Sequence, residues 1–333
     1  MNFTRAGIHL PQLGLWLDAR KRQRGGERVF VSHAHGDHIG AHDEVMLTEA
    51  TSLFMRTRLP GKRREHILSF GERREFRFGD ETFHLTALPA GHILGSAMSF
   101  IEWRKETLLY TGDFKLLESP VAEPCTPRRA DHLIMETTFG LPRYRFPKED
   151  DVRRDIAAFC REALADGDVP VLHGYSLGKS QEILHGLTGE GFAVMLQRDV
   201  RKMTLLHEKL GVVFPHYELF DPENARGKIL ITPPQSLKTM ERVALGNIRT
   251  AAVTGWAMDS SCRYRSGTDA AFPLSDHADY DGLLELVEKV QPKRVFTVHG
   301  FAREFAQTLR ERGVNAIAPG WHEQMGLNLH AGA

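Results

Sequence analysis

Short runs of apolar residues, separated by turn residues, fill the first half of the chain. Each run is rich in Val, Leu, Ile or Phe and has Gly, Pro or Asp close by, which is typical of strands. The runs predict strands at residues 14–18, 28–32, 82–89, 98–103, 107–111 and 132–136. A helix is predicted over residues 48–58.

The pattern changes near Lys148. Apolar residues at positions 152, 156, 159, 160 and 164 have helical spacing and predict a helix over 151–166. Strands and helices then alternate through about Val253, which predicts an α/β unit with a parallel sheet. The remaining predicted elements are a strand at 169–172, a helix at 179–187, a helix at 280–290, a strand at 294–299 and a helix at 303–312.

Length and charge narrow the class of protein. A chain of 333 residues predicts two domains at about 150 residues each, and the change of pattern places boundaries near residues 147 and 265. Lys plus Arg and Asp plus Glu both number 43, so the net charge is zero. This balance excludes a uniformly basic nucleic-acid coat and an acidic tail, but it leaves room for a local basic groove.

Two further features concern the compartment. No apolar run approaches the roughly 20 residues of a membrane span, and residues 1–10 lack the apolar core of a signal peptide. Three scattered cysteines, Cys125, Cys160 and Cys262, argue against a disulfide framework and for a reducing compartment. We therefore expect a cytoplasmic protein with no membrane partner.

The first candidate chemistry is a histidine cluster that directly follows a predicted strand. His33, His35, Asp37 and His38 fall within six residues. Residues i and i+2 of an extended chain project to the same side, so His33 and His35 can bind one ion together. Asp37 and His38 then lie on the turn and can face a second ion. Imidazole and carboxylate ligands suit Zn²⁺, with Mn²⁺ as the alternative.

Three more potential ligands follow strand ends, each beside a glycine. They are His92, Asp113 and His299. Ligands at strand ends are held rigidly. Together with the first cluster they predict a two-metal centre, in which ions about 3.5–4 Å apart serve a displacement at phosphorus. The predicted ligand sets are His33, His35 and His92 for one ion and Asp37, His38 and His299 for the other, with Asp113 as the bridge.

These ligands and the preceding Asp18 resemble the metallo-β-lactamase fold. The resemblance implies an α/β protein, an αβ/βα sandwich of the hydrolase type. It also implies that Asp18 braces the histidine loop and does not bind metal.

A second resemblance narrows the reaction. The segments 135–140, 275–279 and 298–300 resemble the three signature motifs of β-CASP nucleases, which split the lactamase fold with an inserted α/β domain. The implied division is 1–146 and 267–333 for the first domain and 147–266 for the insert. The segments 136–147 and 274–280 resemble bacterial DNA ligase-associated exonucleases, which implies a DNA exonuclease of DNA repair, in functional association with a ligase. A histidine at position 299 is typical of RNA-acting members, so RNA processing is the alternative.

The resemblance also implies roles. Asp37 would bind metal and orient the attacking water. His277 would lie at the scissile phosphate and either stabilise charge or protonate the leaving oxygen, which suits histidine near neutral pH. Glu136 would hydrogen-bond His277 and fix its tautomer. A small-molecule hydrolase is a further alternative, which the insert disfavours. A scaffold without activity is another, which the complete ligand set disfavours.

Basic residues provide candidate phosphate contacts. The strongest substrate-binding candidates lie beside the signature segments: Arg143, Arg145, Ser176 and Lys179. Residues 56–77 form a basic stretch, and Arg20, Lys21, Arg22, Arg24 and Arg28 form a second basic group. Tyr144 and Phe146 can stack on bases or pack in the core.

Overall fold

The chain divides into two compact units in the computed structural model, which describes residues 1–23, 25–237 and 239–320. Unit 1 comprises residues 1–118, 122–142 and the chain from His277, whereas unit 2 comprises residues 119–121 and 143–276. Unit 2 is thus inserted into the chain of unit 1. The sequence placed the two boundaries after residues 146 and 266. Contacts place them after Pro142 and Asp276, because residues up to 276 associate with the insert.

Unit 1 contains the strands on both sides of the insert. They are β1 (Asn2–Thr4), β2 (Gly7–Leu10), β3 (Leu15–Leu17), β4 (Arg28–Phe30), β5 (Glu44–Leu47), β6 (Arg64–Ile67), β7 (Arg73–Phe78), β8 (Glu81–Pro89), β9 (Ala97–Trp103), β10 (Glu106–Tyr110), β11 (His132–Glu136), β18 (Arg294–Val298) and β19 (Ala316–Ile317). Its helices are α1 (Glu49–Arg58), α7 (Tyr280–Val290) and α8 (Ala302–Glu311).

These strands form two sheets that share one core. The first sheet has the order β1-β2-β3-β4-β5-β6 and the second has the order β19-β18-β11-β10-β9-β8-β7. Phe30 of the first sheet and Phe83 and Phe296 of the second are fully buried in the same apolar cluster. Leu286 of α7 and Phe305 of α8 pack in another cluster with the second sheet, and α1 contacts β6. The predicted αβ/βα sandwich is confirmed.

Unit 2 is a parallel α/β unit. Its strands are β12 (Val169–His173), β13 (Val194–Leu196), β14 (Glu218–Leu219), β15 (Ile229–Thr232), β16 (Ile248–Val253) and β17 (Ala270–Phe272). Its helices are α2 (Glu149–Ala165), α3 (Lys179–Gly186), α4 (Arg198–Lys209), α5 (Thr239–Leu245) and α6 (Cys262–Ser266). Every pairing in the order β14-β13-β15-β12-β16-β17 is parallel, as the alternating pattern predicted. Neighbouring Val171 and Leu172 of β12 join different apolar clusters, so both sheet faces are covered.

Pairing of β17 with β16 explains why the insert extends beyond residue 266. Ala270–Phe272 adds a parallel strand to the sheet of unit 2. The strand has three residues, all half-buried, so its apolar pattern is too brief to predict a strand. No helix in the described ranges is long and apolar enough to cross a lipid bilayer.

Candidate metal centre

The candidate ligands of unit 1 follow strands whose carboxyl ends lie at one edge of the second sheet. β8 and β10 are both antiparallel to β9, and β10, β11 and β18 are mutually parallel, so these four strands run in the same direction. Three of the ligands follow them directly or within a short turn: His92 after β8, Asp113 after β10 and His299 after β18. Glu136 is the last residue of β11. The histidine loop follows β4 of the other sheet.

Four ligand atoms converge at the first predicted ion site. His35 Nδ1 lies 3.1 Å from both His33 Nε2 and His92 Nε2. Asp113 Oδ2 lies 3.5 Å from His33 Nε2 and 3.9 Å from His92 Nε2. A tetrahedral ion with bonds of about 2.0–2.1 Å separates its ligand atoms by about 3.3–3.4 Å. The described residues at this site therefore fit a zinc-like ion.

A buried aspartate supports the histidine loop. The Asp18 carboxylate accepts hydrogen bonds from the Ser32 backbone N–H at 2.7 Å, the Ser32 hydroxyl at 2.5 Å and the Tyr110 hydroxyl at 2.7 Å. The fourth donor is His38 Nδ1, at 2.7 Å from Asp18 Oδ2. Because Asp18 accepts all four of these hydrogen bonds, it braces the candidate ligands, as the resemblance implied.

The same network sets the tautomers of two ligands. Because the Ser32 hydroxyl donates to Asp18, its oxygen accepts from His33 Nδ1 at 3.0 Å, which leaves the lone pair of His33 Nε2 facing the ion site. His38 donates from Nδ1 to Asp18, which leaves Nε2 facing Asp113. One buried carboxylate thus orients a histidine of each predicted ligand set.

The second predicted ion site is more open. His38 Nε2 lies 3.2 Å from Asp113 Oδ2 and 3.7 Å from Asp37 Oδ2. Asp37 is exposed, with a side chain 63% accessible, whereas His38 is buried. The His299 ring lies with its centroid 6.1 Å from that of His38. The three residues are thus gathered around His38 and Asp113 less tightly than the ligand atoms of the first set.

Burial and charge shift the titration of the buried ligands in opposite directions. Burial and the neighbouring histidines lower the pKa of His33 well below its ordinary value. Burial alone would lower the pKa of His38, but Asp113 and Asp18 raise it well above the ordinary value. Burial would raise the pKa of Asp113, but His38 and the other histidines hold it well below the usual range. Asp113 is therefore a carboxylate, the state that binds metal.

Left-handed backbone at the end of β18 places His299 next to the motif that contains Glu136. His299 has φ +59° and Gly300 has φ +55°. A Cβ on Gly300 would lie 2.4 Å from Thr137 O and from Thr138 Cα, so this position requires glycine. Thr137 Oγ1 donates to His299 O at 2.6 Å and fixes the turn.

A second buried carboxylate holds His277. Glu136 Oε1 accepts from His277 Nδ1 at 2.8 Å and from the Phe114 N–H at 3.0 Å. Glu136 Oε2 accepts from the Thr138 hydroxyl at 2.5 Å. The His277 ring lies 4.6 Å, centroid to centroid, from that of the candidate ligand His92. The geometry brings His277 to the ligand cluster with Nδ1 occupied by Glu136.

The predicted substrate-binding residues all lie in unit 2. Arg143 and Arg145 are exposed, and Arg143 contacts Asp259 at 3.5 Å. Ser176 is half-buried, and its carbonyl accepts from Gln181 Nε2 at 3.2 Å. Lys179 was predicted to contact substrate phosphate, but its side chain is buried in this structure.

Two carboxylates explain the burial of Lys179. Its Nζ lies 2.6 Å from Glu182 Oε2 and 3.7 Å from Asp276 Oδ1. A buried ammonium needs such partners, and helical spacing places Glu182 three residues away. Lys179 thus forms buried ion pairs inside unit 2 in this structure.

Tyr144 and much of the basic stretch 56–77 are also not free to contact nucleic acid in this structure. Tyr144 is fully buried, edge-on to Trp256, and donates to Asp259 at 3.1 Å, so its packing role is the one observed. Acidic partners occupy much of residues 56–77. Their ion pairs are Arg56 and Arg63 with Glu65, Arg73 with Glu102, and Arg77 with Glu75. In the second basic group, Arg24 lies outside the described residues.

Sequence reasoning missed Ser32 and Tyr110 as supports of the centre. Both lie in or next to strands and have the apolar neighbours of ordinary core residues. Tyr110 had a signal: it directly precedes the Thr-Gly-Asp turn that ends in Asp113. A tyrosine that is buried needs an acceptor for its hydroxyl, and Asp18 provides it.

Replacement of Asp18 by alanine tests the brace. Four donors, from Ser32, His38 and Tyr110, would lose their buried acceptor. Each unsatisfied buried group costs about 1–3 kcal/mol, so the free energy of unfolding should fall by about 3 kcal/mol or more. Urea unfolding of the metal-free protein measures this change. The control Asp43→Ala removes only an exposed pair with Arg22 and should cost about 1 kcal/mol or less. An equal cost for both variants would contradict the role of Asp18.

Two family descriptions match this chain. "Metallo-beta-lactamase superfamily" matches residues 6–183, which is just over half of the 333 residues. "Zn-dependent metallo-hydrolase RNA specificity domain" matches residues 270–319, a range that includes His277 and His299. The two matches fall largely on the segments that flank unit 2 and on its first part.

Curated relatives extend the similarity. A "Probable DNA ligase" of Opitutus terrae is 50% identical over 326 residues, which cover 98% of this chain and 32% of that protein. "RNase aCSPSF2" of Saccharolobus solfataricus is 26% identical over 210 residues, which cover 54% of this chain and 42% of that protein. "5′ exonuclease Apollo" of Rattus norvegicus is 25% identical over 315 residues, which cover 88% of this chain and 54% of that protein. The chain spans between about a third and about half of the length of these relatives.

A solved structure shares the architecture. The crystal structure of a protein of unknown function from Enterococcus faecalis V583 superposes with a TM-score of 0.61 at 15% identity. The match covers 90% of this chain and 80% of that one. At this identity, the likeness concerns the fold alone.

Proposed function

We propose that this chain, which belongs to the metallo-β-lactamase superfamily and is of the β-CASP type, is a two-metal nuclease that hydrolyses DNA. The observation that carries the proposal is the position of Asp113. Its Oδ2 lies 3.5 Å from His33 Nε2 and 3.2 Å from His38 Nε2, so it faces one histidine of each ligand set. A shared carboxylate oxygen is what a bridge between two adjacent ions requires.

The ligand sets keep the assignment made from the sequence. Imidazole nitrogens with carboxylate oxygens suit Zn²⁺, and Mn²⁺ is the alternative. Bound ions would activate water and neutralise charge at the phosphate. The residues that would hold them are His33, His35 and His92 at the first site and Asp37, His38 and His299 at the second, with Asp113 shared.

The chain's own residues would handle the proton. Glu136 holds the Nδ1 proton of His277, so Nε2 is the ring nitrogen from which His277 can donate to the leaving oxygen. The Glu136 carboxylate also stabilises the imidazolium form. Asp37, the exposed member of the second set, would additionally orient the attacking water.

DNA is the preferred substrate in this proposal. It is supported by similarity to the 5′ exonuclease Apollo and by 50% identity to a segment of a protein named as a DNA ligase. The matched segment is 32% of that protein's length. We therefore propose exonuclease action in DNA repair and functional association with a DNA ligase.

RNA is the second candidate substrate. Residues 270–319 match an RNA specificity domain, RNase aCSPSF2 is among the relatives, and His299 occupies the position typical of RNA-acting members.

One gel assay tests the proposed function. The purified protein, with Zn²⁺ or Mn²⁺, is incubated with 5′- and 3′-labelled single-stranded DNA and with RNA of the same sequence. We expect DNA to shorten progressively from one end, and the position of the label gives the direction. His35→Ala serves as the inactive control, because it removes the nitrogen on which the first ligand set converges.

Two outcomes would overturn parts of the proposal. Cleavage of RNA alone would assign the enzyme to RNA processing. Absence of cleavage of either polymer by protein that holds two ions per chain would refute nuclease function and favour a small-molecule hydrolase.

A further inference from the structure

A small cleft lies in unit 1 beside the second predicted ion site. One wall is formed by Asp37, His38 and His299, three of the predicted ligands. The lining also includes four apolar residues, Phe3, Ile8, Leu17 and Val298, and the buried polar residues Asp18 and Tyr110. The remaining wall carries two arginines, Arg5 and Arg20, that the proposed chemistry does not use.

The backbone fixes these two arginines beside each other. Arg5 lies in the turn between β1 and β2, where the Thr4 hydroxyl donates to Gly7 O at 2.8 Å. The Arg20 N–H donates to Ala6 O at 2.7 Å and ties this turn to the segment after β3.

Gly7 allows the turn to approach this closely. It has φ +137°, and a Cβ at this position would lie 2.8 Å from Ala19 Cα. The turn that contains Arg5 therefore depends on glycine to approach the backbone that precedes Arg20.

Neither guanidinium forms an ion pair with a described carboxylate, although Asp18 and Asp37 line the same cleft. Both arginines are exposed. This contrasts with Arg22, Arg28 and Arg56, each of which contacts a carboxylate. Two unpaired guanidinium groups at the rim of a cleft attract an anion, and their planar forks match phosphate.

We propose that Arg5 and Arg20 bind the backbone phosphate next to the scissile one and thereby position the strand at the second ion site. This inference rests on the proposed nuclease function and adds to it a specificity for polynucleotides over isolated phosphodiesters.

The double variant Arg5→Gln/Arg20→Gln tests this inference on two substrates. We expect KM for a single-stranded oligonucleotide to rise roughly tenfold or more, with a much smaller change in kcat, because a charged hydrogen bond to substrate is lost before and during the reaction. The ratio of kcat/KM for the oligonucleotide to kcat/KM for bis(p-nitrophenyl) phosphate, which has no neighbouring phosphate, should fall by the same factor.

A charge deletion in the substrate makes the test specific. A methylphosphonate in place of the phosphate on either side of the scissile bond identifies the position whose charge matters. At that position the modification should impair the wild-type enzyme roughly tenfold and the double variant by less than about twofold, since the two losses remove one interaction.

The matched control is Arg77→Gln/Arg104→Gln. These exposed arginines of unit 1 pair with Glu75 and Glu81, do not line the cleft, and change the net charge equally. An equal rise of KM in the control pair, or equal losses on both substrates, would overturn the inference.

Failure of the proposed function is distinguishable from failure of this inference. Binding of the fluorescent oligonucleotide to metal-free protein in EDTA does not require hydrolysis. The logarithm of the binding constant falls linearly with the logarithm of the salt concentration. Loss of one phosphate contact in the double variant should make this slope less steep by about 0.7. An unchanged slope would overturn the inference even for an active nuclease.

Discussion

Replacement of His35 by alanine is expected to lower phosphodiester hydrolysis by at least about 10³-fold, which corresponds to about 4 kcal/mol of transition-state stabilisation. His35 Nδ1 lies 3.1 Å from the Nε2 atoms of both His33 and His92, so it completes the first ligand set. Without it, an ion at this site, which would lower the pKa of a bound water to about 7, should bind weakly or not at all. The side chain is only half-buried, so the fold should persist.

Steady-state kinetics on labelled DNA, metal analysis and urea unfolding together measure this result. His84→Ala is the matched control: it removes a partly exposed histidine of β8 that contacts Glu75 at 3.7 Å. The control should keep full activity and metal content. Activity of His35→Ala above about one-tenth of wild type would refute the assignment of the first site.

Asp37→Ala separates the two ion sites. Asp37 is exposed and lies 3.7 Å from His38 Nε2, so its loss should affect the second ion and leave the first set intact. We expect metal content to fall from two ions to one per chain, with activity lost as for His35→Ala. Retention of two ions with full activity would remove Asp37 from the ligand set.

Local patterns account for the parts of the fold and site that were predictable. The strand His132–Glu136 and the helix Tyr280–Val290 occur with their predicted bounds, because each has a continuous apolar pattern and a clear turn at its end. The convergence of His33 and His35, whose ring nitrogens lie 3.1 Å apart, was predictable because i, i+2 spacing alone places them on one side of the chain.

Edge strands escaped prediction for a physical reason. β7 has the sequence RREFRF, in which only Phe76 is buried, because it forms the outer edge of the second sheet. Its arginines instead suggested a nucleic-acid surface. The preceding strand β6, which has no buried residue, likewise lies at the edge of its sheet, the first sheet. Charged edge strands of this kind hinder edge-to-edge association, but they lack the alternation that a sequence pattern detects.

Long-range pairings account for the rest. Tyr110 and Asp18 are 92 residues apart, and their hydrogen bond depends on packing of the two sheets. The juxtaposition of Arg5 with Arg20 likewise depends on a backbone bond to Ala6. No spacing rule within a single sequence encodes such contacts. The Glu136–His277 pair spans 141 residues and was accessible only through family resemblance.

His277→Ala is expected to reduce kcat by roughly 10²–10⁴ on DNA while metal content stays unchanged. Glu136 occupies Nδ1 of His277, and the histidine ring packs beside His92 without being needed for the convergence of the first ligand set. Loss of metal in this variant would instead make His277 a ligand.

The leaving group distinguishes the two roles considered for His277. Protonation matters most for an alkoxide leaving group and little for p-nitrophenoxide, which departs readily without a proton. If His277 is the general acid, the alanine variant should lose much more activity on DNA than on bis(p-nitrophenyl) phosphate. Equal losses on both substrates would show that His277 stabilises charge and does not transfer the proton.

A double-mutant cycle assigns Glu136 its positioning role. Glu136→Gln keeps the side-chain shape but places an amide against donors from Phe114, Thr138 and His277. We expect this variant to lose roughly 10–10³-fold in kcat, because His277 loses its fixed tautomer and the charge that supports its imidazolium form. If Glu136 acts only through His277, adding Glu136→Gln to His277→Ala should cost less than about threefold more. Full additivity of the two losses would mean that Glu136 acts on the ligands or the fold by a separate route, and urea unfolding of each variant identifies which.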